Sequence, residues 1–170
     1  PGVGVPGAYT REQLRALSRL ARELHITIVP KLQSIAHADY LLRHEAYREL
    51  RENGHAYQYC LTSARAQALW EAMCRELMDC FPEHGPWFHI GADEPLYLGE
   101  CPECAKLGAA GAYMRKARAC VDFVAEQGWV PVMWDDIVRN KDALFSPEEE
   151  AQLRHALKNA VLMYWVYGYG

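Results

Sequence analysis

The stretch PWFHIGADEP, residues 86–95, decides how the rest of this chain reads. Its first half is a short apolar run rich in aromatic and β-branched residues, the pattern of a strand buried on both faces. Gly91 and Ala92 end the run, and two adjacent acids, Asp93 and Glu94, follow at once. An extended strand sends neighbouring side chains to opposite faces, whereas a turn at the small-residue pair lets both carboxylates approach one mouth. Two carboxylates so placed repel when both are ionised, which tends to raise one pKa and keeps an acid available near neutral pH. The bland alternative, Asp93 capping a helix whose first turn carries a solvated Glu94, fits less well behind an apolar strand bearing Trp and His.

Three further runs of the same kind flank this one: HITIVPKL (25–32), WVPVMWDD (129–136) and AVLMYWVYG (160–168). Each is followed or ended by polar or aromatic residues: Gln33 and His37, then Asp135 and Asp136, then Tyr164, Trp165 and Tyr167. Helical periodicity fills the intervals. Leu14, Leu17, Leu20, Ala21 and Leu24 share one face of a helix that Thr10 and Gln13 start as a capping box. Ala66, Leu69, Trp70, Met73, Leu77 and Phe81 mark a second stripe. A third helix is expected from about Ala110 to Gln127, ended by Gly128, and a fourth after Ser146, Pro147 and Glu149, with Leu153, Ala156 and Leu157 on its apolar face. The order helix, strand, helices, strand, helix, strand, helix, strand implies βαβ units, a parallel sheet and the α/β class. Periodicity does not separate an open doubly wound sheet from a closed barrel. In both, the carboxyl edge of the strands is where sites are built, and the polar clusters gather there.

Composition narrows the function classes. The chain has 170 residues, 51% hydrophobic and 24% charged, with net charge −4. That is globular composition, without the basic excess that attracts nucleic acid and without an apolar run long enough for a membrane span. Neither nucleic acid nor a membrane is an expected partner. A complete (β/α)8 barrel takes about 250 residues, so a barrel reading makes this one segment, residues 1–170, of an incomplete barrel. Exposed sheet edges would then favour self-association. Six cysteines at 60, 74, 80, 101, 104 and 120 read as free buried thiols of a reducing, cytoplasmic compartment. Cys101 and Cys104 form a CxxC that would supply half of a zinc site, but no second pair follows at a matching spacing; a structural metal and a local disulfide stay as alternatives.

HIGADE resembles the H-x-G-[GA]-D-E signature of glycoside hydrolase family 20, the β-N-acetylhexosaminidases. AYTREQL followed by HITIVPKLQSIAHADYLL is similar to the segment entering that family's third barrel strand and histidine loop. VPVMWDDI resembles strand five and VLMYWVYG strand six, and the chain also looks like the compact hexosaminidase D type. The resemblance implies a partial TIM barrel, approximately strands three to six with their helices. It also implies hydrolysis of terminal N-acetylglucosaminide or N-acetylgalactosaminide residues with no metal or cofactor. In that family the substrate's own 2-acetamido group is the nucleophile. Carried over, Glu94 is the general acid and base, Asp93 stabilises the oxazolinium, and His37 and His89 support them. Trp134 and Trp165 wall the acetamido pocket, and Asp135, ahead of Asp136, bonds a sugar hydroxyl. Trp70, Trp87 and Trp129 are expected in the core. The family's substrate-gripping arginine, and a tyrosine and tryptophan from the last strands, have no counterpart here. Two other readings compete: a sugar-binding or structural half-barrel, and a metal-dependent hydrolase built on His25, His37, His89, Asp93 and Glu94.

Overall fold

The computed structural model describes residues 6–82, 85–139 and 144–167. Helix α1 (Arg11–Glu23) starts at the Thr10–Gln13 capping box, with both reciprocal bonds formed. After it the chain passes α2 (Asp39–Leu42), a 3-10 turn (Glu45–Leu50), strands β1 (Arg51–Glu52) and β2 (His55–Tyr59), and α3 (Ala64–Met78). Then come β3 (Trp87–His89), α4 (Pro102–Ala105), α5 (Gly108–Glu126), β4 (Val130–Trp134), α6 (Pro147–Ala156) and β5 (Val161–Met163). Gly128 ends the α5 region at φ +81°, and Ser146, Pro147 and Glu149 open α6 with the expected capping box.

The three strands β3, β4 and β5 form one parallel sheet in that order, with Val132 opposite both His89 and Val161. Of the expected first strand, 25–32, His25 turns at φ +56° and the rest pairs, among the described residues, only at its end. Lys31 bridges His89 in parallel, with His89 N–H to Pro30 O at 2.8 Å and Leu32 N–H to His89 O at 3.0 Å. Spatial order therefore follows chain order, as it does around a barrel. Pro30 has no N–H to give a ladder, and the preceding Ile26 and Val29 are exposed rather than buried. The edge position explains this, and the same holds at the other end, where Val161, Leu162 and Met163 are exposed. Gly168, at the end of the fourth run, lies outside the described residues.

Two further expectations are corrected. Part of the interval read as helices is an antiparallel hairpin, β1–β2, turning at Asn53 (φ +45°) and Gly54 (φ +87°). Positive φ at both central residues is the geometry of the type I′ turn, for which Asn-Gly is the preferred pair. Trp87 is 40% exposed rather than in the core. It begins β3, and its side chain faces the side of the sheet opposite to that of the buried Phe88. Trp70 and Trp129 are buried as expected, against Phe123 and Phe88 with ring centroids 5.8 Å apart in each pair. No helix among the described residues is long and apolar enough to cross a membrane.

Candidate active site

The loop after β3 takes a conformation that L-residues rarely adopt. Gly91 and Ala92 both have φ +70° and Glu94 has φ +47°. Strain of this kind persists only where the surroundings fix it, and here five backbone groups of the loop are held by partners. Gly91 N–H donates to His89 Nδ1 (2.9 Å), and Gly91 O accepts from Trp134 N–H (3.0 Å). The buried Tyr113 hydroxyl donates to Ala92 O (3.0 Å). Glu94 N–H donates to Asp136 Oδ2 (3.0 Å), and the Tyr57 hydroxyl donates to Glu94 O (3.2 Å). The left-handed turns are what bring two consecutive carboxylates to one side.

They meet at His37, itself at φ +53° on the loop after the first extended segment. Its Nε2 lies 3.3 Å from Asp93 Oδ2 and 3.3 Å from Glu94 Oε2. Gln33 Nε2 donates to Asp93 Oδ1 (3.1 Å), so both oxygens of Asp93 are held. Asp93 is sheltered and Glu94 is half exposed, which leaves the second acid open to an incoming group. The Tyr57 hydroxyl completes the cluster at 3.1 Å from His37 Nε2. Burial first, then the charges of Glu94, Asp93, Asp39 and Asp136, push its pKa up to about 12, so it stays a neutral donor at physiological pH. Sequence reasoning missed Tyr57 because it lies on the unrecognised hairpin; the Asn53-Gly54 pair was the available signal.

His89 does not touch either carboxylate. Its Nδ1 accepts from the backbone, which puts the proton on Nε2, and that buried nitrogen finds no acceptor among the described residues. Burial, reinforced by the Lys31 charge and opposed by Asp93, lowers its pKa to about 4. Trp134 stands beside it, ring centroids 4.6 Å apart, with the Lys31 ammonium 5.0 Å from the indole centroid. Asp135 is buried and ion-paired to Arg139 at 2.9 Å, its other oxygen lacking a partner among the described residues. Of the two adjacent acids it is Asp136 that touches the carboxylate loop. Trp165 is half-buried after β5, its indole N–H buried without a partner among the described residues and its ring 5.3 Å from that of Tyr167. Of the five groups weighed for a metal-dependent hydrolase, His37, Asp93 and Glu94 converge within 4.8 Å, while His25 is exposed at the end of α1.

Residues 3–169 match the model of the glycosyl hydrolase family 20 catalytic domain. The chain belongs to glycosyl hydrolase family 20. It is 27% identical to hexosaminidase D of Bos taurus over 95% of its own length and 47% of that protein, so it spans about half of this curated relative. Among solved structures, it resembles the β-N-acetylhexosaminidase of Bacteroides fragilis with TM-score 0.67 and 21% identity over 93% of this chain and 35% of that one. It also resembles a family 20 exo-β-N-acetylglucosaminidase of Vibrio harveyi, solved with N-acetylglucosamine, with TM-score 0.70 and 19% identity over 94% of this chain and 26% of that one. Family 20 membership and the sheet order agree that the fold is part of a TIM barrel.

Proposed function

We propose that the protein containing this chain is a β-N-acetylhexosaminidase that removes terminal N-acetylglucosamine or N-acetylgalactosamine residues with retention of configuration. The observation that carries the reading is the single contact set at His37, whose Nε2 is 3.3 Å from both members of the family signature's acid pair. Glu94, the more exposed acid, donates a proton to the glycosidic oxygen as the C1–O bond breaks. The substrate's acetamido carbonyl oxygen attacks C1 from the other face, giving an oxazolinium and releasing the alcohol. Asp93, fixed by Gln33 and His37, accepts the acetamido N–H and balances the charge that develops there. The Glu94 carboxylate then takes a proton from water as that water attacks C1, reopening the ring and regenerating the acid. Trp134 and Trp165 present aromatic faces suited to the apolar side of a pyranose.

The test uses the full-length protein and p-nitrophenyl glycosides of both sugars. Glu94→Gln is expected to lower kcat by about 10²–10⁴-fold, more for a poor leaving group than for nitrophenolate, with KM little changed. Asp93→Asn should lower kcat comparably. Undiminished hydrolysis of a poor-leaving-group acetylglucosaminide by Glu94→Gln would remove the proposal. The ratio of kcat/KM for the two sugars assigns the preference at the 4-hydroxyl.

A further inference from the structure

Away from the acid pair, the hairpin and α4 bring together four groups that the hydrolysis does not use. Cys60 Sγ lies 3.6 Å from Cys101 Sγ and 3.8 Å from Cys104 Sγ. Glu52 Oε2 lies 3.2 Å from Cys104 Sγ, and all four ligand atoms fall within 4.8 Å of one another. Tetrahedral zinc with Zn–S bonds of about 2.3 Å separates its sulfurs by about 3.8 Å, whereas a disulfide holds them at about 2.05 Å. All three cysteines are free, and Cys60 stands from each of the other two at the length of a tetrahedron's edge.

Glu52 supplies an independent observation. It is fully buried and makes no ion pair among the described residues. Its Oε1 accepts Cys101 N–H at 2.8 Å, which aims Oε2 at the sulfurs. A carboxylate buried among thiols with no cation is costly unless a cation joins it. The backbone is also arranged for thiolates: Cys104 N–H points at Cys101 Sγ (3.3 Å), and the Thr62 hydroxyl lies 3.3 Å from Cys104 Sγ. Such outer contacts orient metal ligands and stabilise their charge. A surface cleft lined by Cys60, Thr62, Cys101 and Lys106 gives an entry path.

We infer that Glu52, Cys60, Cys101 and Cys104 form a zinc site with four protein ligands. A set of four leaves no open position, so the ion is structural rather than catalytic. It staples β1 and the end of β2 to the segment that follows the acid pair. On the same hairpin Tyr57 bonds Glu94 O, and Gln58 brackets Tyr97 with bonds of 2.8 and 3.0 Å. The metal therefore fixes the outer wall of the active site without touching substrate.

The test is metal analysis of the full-length protein, purified untagged and passed over chelating resin, by plasma mass spectrometry. The expected result is one zinc per chain. In Cys101→Ser and Cys104→Ser zinc should fall to about a tenth or less, whereas Cys74→Ser and Cys120→Ser, at buried cysteines outside the cluster, should retain it. Cobalt(II) exchanged into the protein should give a thiolate-to-metal charge-transfer band that Cys104→Ser lacks. The inference is overturned by metal-free protein that takes up no cobalt, by a disulfide mapped within Cys60, Cys101 and Cys104, by stoichiometric iron in place of zinc, or by zinc retained in both cysteine variants. If those variants do not fold, Glu52→Gln and the zinc content of the unaltered protein decide the matter.

Discussion

At Gly91 the backbone and the chemistry share one constraint. A Cβ there would run into the Gln33 side chain, and φ +70° strains any L-residue besides. Gly91→Ala must therefore move Gln33 away from Asp93 or distort the loop. The expected outcome is a loss of about 1–3 kcal/mol of stability, read from the urea midpoint, together with a lower kcat; unchanged values of both would show that the loop relaxes freely. His89 gives a prediction in pH. Its folded pKa, about 4, lies below the ordinary histidine value of 6.5, so folding favours the neutral ring. The unfolded chain takes up the proton first as pH falls, and stability is therefore lost between pH 6.5 and about 4. The contribution is on the order of 3 kcal/mol at most. His89→Gln should flatten that part of the stability–pH curve; an identical slope in the variant would mean that other groups carry it. Asp93, Glu94 and His37 were legible in the sequence because a contiguous motif and a strand end announce them. The different surroundings of Asp135 and Asp136 were not, because adjacent residues at a strand end diverge: the first is ion-paired to Arg139 and the second accepts Glu94 N–H.

The hairpin is the element that reading the sequence missed, and the physical reason is its length. β1 has two residues and β2 five, too short for alternation to stand out beside the flanking helical segments. Yet the hairpin and the residue after it carry Tyr57, Gln58 and two of the proposed zinc ligands, which makes it the support of the loop that bears the acid pair. Its turn and its interior should respond differently to substitution. Gly54 has open space around its missing Cβ, so Gly54→Ala meets only the φ penalty and should cost about 1 kcal/mol with activity retained. Gln58 is buried and holds both the N–H and the carbonyl of Tyr97. Gln58→Leu leaves that peptide unsatisfied and should cost about 2–4 kcal/mol. Tyr57→Phe should keep the fold and lower kcat more than it raises KM, since the lost hydroxyl holds His37 and Glu94 rather than the sugar. A thermal-shift series alongside Michaelis kinetics separates the three; equal stability losses at Gly54 and Gln58 would contradict the assignment of the load to Gln58.

On the scale of the whole molecule, a sheet whose spatial order follows chain order has two edges, and both are left open among the described residues. One edge is the extended segment ending at Lys31, preceded by exposed Ile26 and Val29; the other is β5, whose Val161, Leu162 and Met163 are exposed. Beside the first, α1 buries Ser18 and Ala21 but leaves Leu17, Leu20 and Leu24 exposed, although the sequence placed all of its leucines on one core-facing stripe. The stripe is amphipathic as read; the surface to cover it is lacking among the described residues. Covering a Val or Leu side chain completely is worth about 1.5–3 kcal/mol, and an unpaired parallel edge adds backbone donors and acceptors in register for another strand. The 170-residue segment expressed by itself should therefore self-associate at micromolar concentration, whereas a longer protein that covers these surfaces should not. Sedimentation velocity measures the association, and replacements at its two sources apportion it. Leu17→Glu with Leu20→Glu removes apolar area from α1, and Leu162→Lys places a charge on the β5 edge. If edge pairing dominates, the lysine variant alone shifts the segment toward monomer; if the helix face dominates, the double glutamate variant does so. A segment that sediments as a monomer and binds no hydrophobic dye would show that neither surface drives association.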